Sequence, residues 1–217
     1  MAQFDPDKNR LLVKLVYYGP ALSGKTTNLT ALHDILAPQH KGEMMILETQ
    51  NDRTLFFDLL PLGFYTTSGM LIKFKLFTVP GQVTHDTTRK AVLSRSDGII
   101  FVADSQLNQI ANNAESFQNL EENAGKVGID FETIPLVVQF NKRDLPNILS
   151  EQDIRDRWQS GPWPVMFAEA LHCIGVVETL SRLLESVYTK LDSSYQLKEK
   201  HDLHKAEFIS KATGIKP

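Results

Sequence analysis

Two short runs hold residue types that can do chemistry together. The first, Gly19-Pro20-Ala21-Leu22-Ser23-Gly24-Lys25-Thr26, fits the pattern G-x-x-x-x-G-K-[ST]. Its glycines let backbone N–H groups converge on an anion, and a helix beginning at Thr26 would add its positive end. In that frame the backbone of Gly19, Ala21, Leu22, Ser23 and Gly24 cradles nucleotide phosphates, with Thr27 beside Thr26. Lys25 bridges the β- and γ-phosphates, and the Thr26 hydroxyl ligates Mg²⁺. The second run, Asn141-Lys142-Arg143-Asp144, follows an apolar stretch directly. A carboxylate at Asp144 can accept two hydrogen bonds, from the N1–H and the exocyclic amine of guanine, which adenine does not offer. The Lys142 stem would lie along the base, and the Asn141 amide would bond the base and brace the phosphate loop. A polar turn at a strand end is the plain alternative; a phosphate loop upstream argues for the chemical one. After the last strand, Ala168-Glu169-Ala170 could offer a backbone N–H to the guanine carbonyl, and a simple connecting loop reads equally well there.

These residues need rigid elements at fixed places. Leu11–Tyr18 is an apolar, β-rich run that stops at Gly19, and Thr26–Leu36 has helical character up to Pro38. Glu43–Thr49, Thr54–Leu60 and Leu71–Val79 read as strands, with Pro61, Gly63 and Gly69 marking a hairpin turn. Gly98–Ala103 and Ile134–Phe140 are continuous apolar strands separated by a helical stretch near Ala111–Lys126. Val165–Ala168 is a short last strand, and Val176–Leu191 has apolar residues at helical spacing. Apolar strands alternating with helices predict a mostly parallel sheet covered on both faces. The expectation is an α/β P-loop domain of six strands with one antiparallel edge strand. It spans residues 1–192, and a polar extension from 193 to 217 is helical or hangs free.

The 217 residues carry a formal net charge of −3, without the basic stripe that a general nucleic-acid binder needs. The single cysteine, Cys173, forbids an internal disulfide and reads as a small buried hydrophobe. With no apolar leader, no membrane-length run and no lipidation motif, a cytoplasmic protein without a direct lipid anchor is expected.

The wording around the motifs resembles the MglA family of bacterial Ras-like GTPases, known from gliding motility and cell polarity. The passages that carry the likeness are Tyr17–Leu29, Asn51–Leu62, Thr78–Gln82 (TVPGQ), Gly98–Gln106 and Gln139–Asn147, which extend it over roughly residues 10–192. The resemblance implies a Ras-like G domain that hydrolyses GTP to GDP and phosphate. Thr54 would reach Mg²⁺ and the γ-phosphate in the GTP state, and Gly81 would donate its N–H to that phosphate. Gln82 would orient the attacking water, and Arg53 would be an arginine finger supplied in cis. A Roadblock-fold activator similar to MglB, polarity or motility effectors and recruitment to a cell pole are implied as well. Read on their own, Gln82 has an exposed loop glutamine as its weaker alternative, and Arg53 is equally a surface partner of Asp52 or Glu48.

Two positions depart from the usual Ras pattern. Thr78 stands where most such GTPases have an aspartate, which removes a carboxylate from the outer shell of the metal. Ala21 replaces the family's usual glycine, placing a methyl where Gln82 or Arg53 would approach. Two other readings stay open: a nucleotide-loaded scaffold with little turnover, and a P-loop ATPase or nucleoside kinase.

Overall fold

In β2 (Arg10–Tyr18), alternate side chains enter separate cores. Leu11, Val13, Leu15 and Tyr17 face one, and Val16 and Tyr18 face the other. This strand is central in the computed structural model, which describes residues 2–36, 42–48, 56–81 and 86–214, with the backbone alone at 46–48 and 56–57. β5 (Leu71–Thr78) and β6 (Gly98–Asp104) flank β2 in parallel. β7 (Leu136–Asn141) and β8 (Val165–Phe167) continue the parallel array. On the other side β4 (Phe56–Tyr65) runs antiparallel to β5, and β3 (Met45–Glu48) antiparallel to β4. β1 (Gln3–Asp5) pairs antiparallel with the start of β2.

The α/β class holds, but the sheet has eight strands among the described residues, in the order β3-β4-β5-β2-β6-β7-β8 with β1 off that path, rather than the six expected. The antiparallel β4 lies one place in from the edge. Pro61 and Gly63 sit inside β4, opposite Lys75 and Lys73, rather than in the turn. Pro61 has no N–H to donate, yet its carbonyl accepts from Gly42 N at 2.8 Å, so the ladder survives it. The turn comes later: Thr66 N donates to the Met70 carbonyl at 2.9 Å, and Met70 N to the Thr66 hydroxyl at 2.9 Å.

Helices cover both faces. α1 (Lys25–Ile35) and α5 (Val176–Tyr195) bury Leu29, Leu32, Leu180, Leu183 and Leu184 on one. α2 (Asp86–Leu93), α3 (Ile110–Lys126) and α4 (Glu151–Trp158) bury Val92, Leu93, Leu120 and Ile154 on the other. Each such side chain contributes roughly 1.5–3 kcal/mol by leaving water. After α5 the chain turns at Gln196, forms α6 (Leu197–His201) and returns as α7 (Lys205–Thr213). Phe208 of α7 is fully buried among the rings of Phe64, Phe74 and Tyr188. Residue 193, the expected start of the extension, therefore lies within α5.

Cys173 is exposed, contrary to the expectation of burial. It takes a left-handed conformation (φ 62°) that ends the 3₁₀ turn Ala170–His172, which turns it out of the core. No helix among the described residues is long and apolar enough to cross a membrane.

Candidate nucleotide site

Because β2, β6 and β7 are parallel, their carboxyl ends meet at one edge of the sheet, where open α/β sheets place ligands. Three polar segments emerge there: the loop from Gly19, Asp104 with Ser105, and Asn141 with Lys142.

The loop from Gly19 runs from β2 into α1, as the sequence predicts. Gly24 caps α1 in the left-handed region (φ 98°) with no side-chain cap, so the first N–H groups of the helix meet no capping side chain. A Cβ at Gly24 would lie 2.2 Å from Asn141 Nδ2, which makes glycine the only residue that fits. Lys25 is buried, and its ammonium donates to the carbonyls of Gly19 (3.0 Å) and Pro20 (2.6 Å). Burial holds its pKa down to about 7; the Arg89 charge lowers it further, and Asp58 opposes both. Two carbonyls are weak partners for a buried cation, and phosphate oxygens would be far stronger ones. Ser23 is fully buried, and its hydroxyl has no hydrogen-bond partner among the described residues. Leu22 (φ 62°) and Ala21 face outward, and Thr27 is half-buried.

Asn141 joins the two motifs. Its Nδ2 donates to the Ser23 carbonyl at 2.9 Å, and its Oδ1 accepts from Ala170 N at 2.9 Å. Lys142, held at φ 67°, reaches back to the buried Asp104 carboxylate at 2.6 Å, which fixes the course of its stem. Asp144 is exposed, and its carboxylate lies within 4.8 Å of the Glu169 carboxylate and the His172 ring.

Ala168 N donates to Phe140 O, Glu169 N to Ile174 O and Ala170 N to Asn141. All three N–H groups are engaged within the protein, and that of Ala170 braces Asn141.

Around the switch positions the described residues include Thr78 and Gly81; Arg53, Thr54 and Gln82 lie outside them. Gly81 packs onto the phosphate loop so closely that a Cβ there would fall 2.3 Å from Ala21 Cα. The extra methyl of Ala21 therefore lies against Gly81.

Three polar groups of this region escape sequence reasoning. Gln139, fully buried in β7, donates to Asn28 Oδ1 (2.9 Å) and Thr179 Oγ1 (3.0 Å), tying α1 to α5 beneath the phosphate loop. Asp104 orients Lys142. Asp58, on β4, accepts from the Thr26 hydroxyl at 2.6 Å. The only sequence sign of Asp58 is a lone carboxylate in an apolar strand.

Residues 61–187 match the model of the ADP-ribosylation factor family. The chain is 44% identical over 178 residues to the mutual gliding-motility protein MglA of Myxococcus xanthus, covering 82% of this chain and 91% of that protein. It is 24% identical over 188 residues to ADP-ribosylation factor-like protein 6 of Caenorhabditis elegans, covering 83% and 90% respectively. These relationships favour neither the scaffold nor the ATPase or kinase reading. A phosphate loop braced by the base motif on a Ras-like sheet thus has its relatives among Arf-type proteins, and the chain belongs to the MglA family of small GTPases.

Proposed function

We propose that this GTPase is a Mg²⁺-dependent GDP/GTP switch in bacterial motility or cell polarity, the setting that the name of its Myxococcus relative carries. The observation that best supports the residue assignments is the Asn141 bridge, which makes base and phosphate recognition one structural unit. Asp144 and Lys142 hold guanine, while Lys25 and the loop N–H groups hold the phosphates.

The oxygen donors suit a hard divalent cation: the Thr26 hydroxyl has a carboxylate beside it and lies next to the phosphate lysine. Thr26 and, in the GTP state, Thr54 would hold Mg²⁺, which would neutralise charge on the β- and γ-phosphate oxygens. Gln82 positions the attacking water in line with the γ-phosphorus, and Arg53 offsets the charge that develops on the transferring group. Gly81 donates to the γ-phosphate, and its release after hydrolysis lets the second switch relax. Partners read that change. A Roadblock-type activator brings the catalytic groups into place, and such partners carry the cytoplasmic protein to a pole.

The test is competition for labelled GDP followed by timed single-turnover hydrolysis with and without a Roadblock-type partner. Displacement by GTP but not ATP, with turnover raised ~10³-fold or more by the partner, is expected. Equal displacement by ATP, or a rate no partner changes, would overturn the reading.

A further inference from the structure

Arg89 of α2 is the bulkiest fully buried side chain among the described residues, and it is a cation. Its guanidinium lies over the Tyr18 ring, 4.5 Å from the centroid. Nη2 donates to the Ser116 hydroxyl on α3 at 3.2 Å, while Nε and Nη1 meet no acceptor among the described residues. The carboxylates whose charge acts on it are Asp86 and Glu115, and neither closes an ion pair with it among those residues. Asp86 is held instead by Lys90 at 3.1 Å and by Asn123 Nδ2 at 2.6 Å. A buried cation in this state is costly, and an aromatic face offsets only part of the cost.

Its place in the fold points to what completes the compensation. Tyr18 is the last residue of β2, directly before Gly19, so the guanidinium is stacked at the foot of the phosphate loop. The Arg89 charge also reaches the Lys25 ammonium of that loop and helps to hold its pKa down. Two buried cations this close repel each other until an anion joins them. Nucleotide phosphates are such an anion. Arg89 further belongs to the helix that follows Gly81 and the second switch.

We propose that Arg89 is a hidden cation of the nucleotide site: without touching the nucleotide, its charge sets the preference for the triphosphate over the diphosphate. This rests on the proposed GDP/GTP switch, in which the γ-phosphate lies toward the second switch. Burial keeps solvent ions from screening the interaction. Each phosphate charge therefore gains from it, and the γ-phosphate adds to what the diphosphate already has. Tyr18 and Ser116 hold the guanidinium by one face and one edge without neutralising it, so its charge stays available to the site.

The experiment measures Kd for GDP and for a non-hydrolysable GTP analogue on the full chain, by displacement of fluorescent GDP. Arg89→Met keeps an unbranched side chain and removes the charge. It should weaken the analogue ~10-fold more than GDP, the scale of one unit charge acting through protein. Ser116→Asp sets a carboxylate against the guanidinium and cancels its charge without altering Arg89. It should reproduce most of that shift, and it decides the matter if Arg89→Met does not fold. Ser116→Ala removes the hydrogen bond but keeps the charge, and should leave the ratio of the two Kd values as in the wild type. An unchanged ratio in the folded Arg89→Met or Ser116→Asp variant overturns the proposal, as does an equal shift in Ser116→Ala and Ser116→Asp. A wild type that binds neither guanosine nucleotide overturns the underlying switch reading instead.

Discussion

Asn141 donates to the carbonyl of Ser23 across 118 positions of sequence, at 2.9 Å, from a side chain that is 2% exposed. Its oxygen is taken by Ala170 N, so a single amide holds the phosphate loop against the loop after β8. Replacing it would leave a buried carbonyl and a buried N–H without partners. Each such orphan costs roughly 1–3 kcal/mol. Asn141→Ala should therefore lower the stability of the nucleotide-free protein by about 2–6 kcal/mol, read from urea denaturation. It should also weaken GDP binding more than the loss of one base contact would, because the loop loses its brace. A fully stable variant would show that the amide does no structural work.

The Lys25 ammonium predicts a pH dependence with a definite sign. Burial, aided by the Arg89 charge, lowers its pKa to about 7 without nucleotide. Phosphate oxygens favour the charged form and raise the value in the complex. Below pH 7 the lysine is protonated in both states and binding is insensitive to pH. Above pH 7 GDP binding must take up a proton, and affinity falls toward tenfold per pH unit until the bound value is reached. Calorimetry at pH 8 in buffers of different ionisation enthalpy should show that uptake, and Lys25→Arg should abolish it. Binding at pH 8 with no proton exchange would sink the assignment.

Periodicity makes the central sheet, α1, α3 and α5 legible, because Leu11–Tyr18, Gly98–Ala103 and Val176–Leu191 bury the residues their spacing marks. α4 escapes such a reading although Ser150 caps Asp153 N at 3.1 Å, a signal present in the sequence. Its one buried residue, Ile154, is too little for a stripe. β1 is three residues long and its Gln3 and Phe4 are exposed, so no alternation marks it. In α7 Phe208 finds its pocket through contacts with Tyr188 and with Phe64 and Phe74, the latter two far away in sequence. Within the site, motifs identify Lys25, Asn141 and Lys142 by residue type and spacing, although Asn141 reaches Ser23 and Lys142 reaches Asp104 only through the fold. Asp58, Asp104 and Gln139 belong to no motif, and their partners come from strands and helices that local sequence does not set beside them.

Gln82 is assigned to the attacking water, and the tight contact of Gly81 with Ala21 brings the residue just before it to the phosphate loop. Gln82→Leu removes the amide that would hold the water while leaving phosphate and base contacts alone. Partner-stimulated hydrolysis should fall by ~10³-fold or more, with GTP affinity within a few-fold of the wild type. Filter binding and single-turnover phosphate release separate the two effects. Unaltered stimulated turnover would remove Gln82 from the mechanism.

Asp144 makes the most specific chemical prediction. As a carboxylate it only accepts, and guanine presents two donors on one edge, N1–H and the amine at C2. The substitution Asp144→Asn turns one of the two acceptor oxygens into an NH₂ donor and keeps the other as an acceptor. Guanine would then set its C2 amine against an NH₂ group, whereas xanthine, with a carbonyl at C2 and a donor at N1, would complement it. GDP affinity should drop by ~10³–10⁴-fold, the scale on which a site with mismatched polar groups rejects a ligand, and xanthosine diphosphate should bind in its place. The fold should be unaffected, since Asp144 is exposed and its neighbours Glu169 and His172 pair with each other at 3.5 Å. A variant that still prefers GDP to the xanthine nucleotide would show that some other group reads the base.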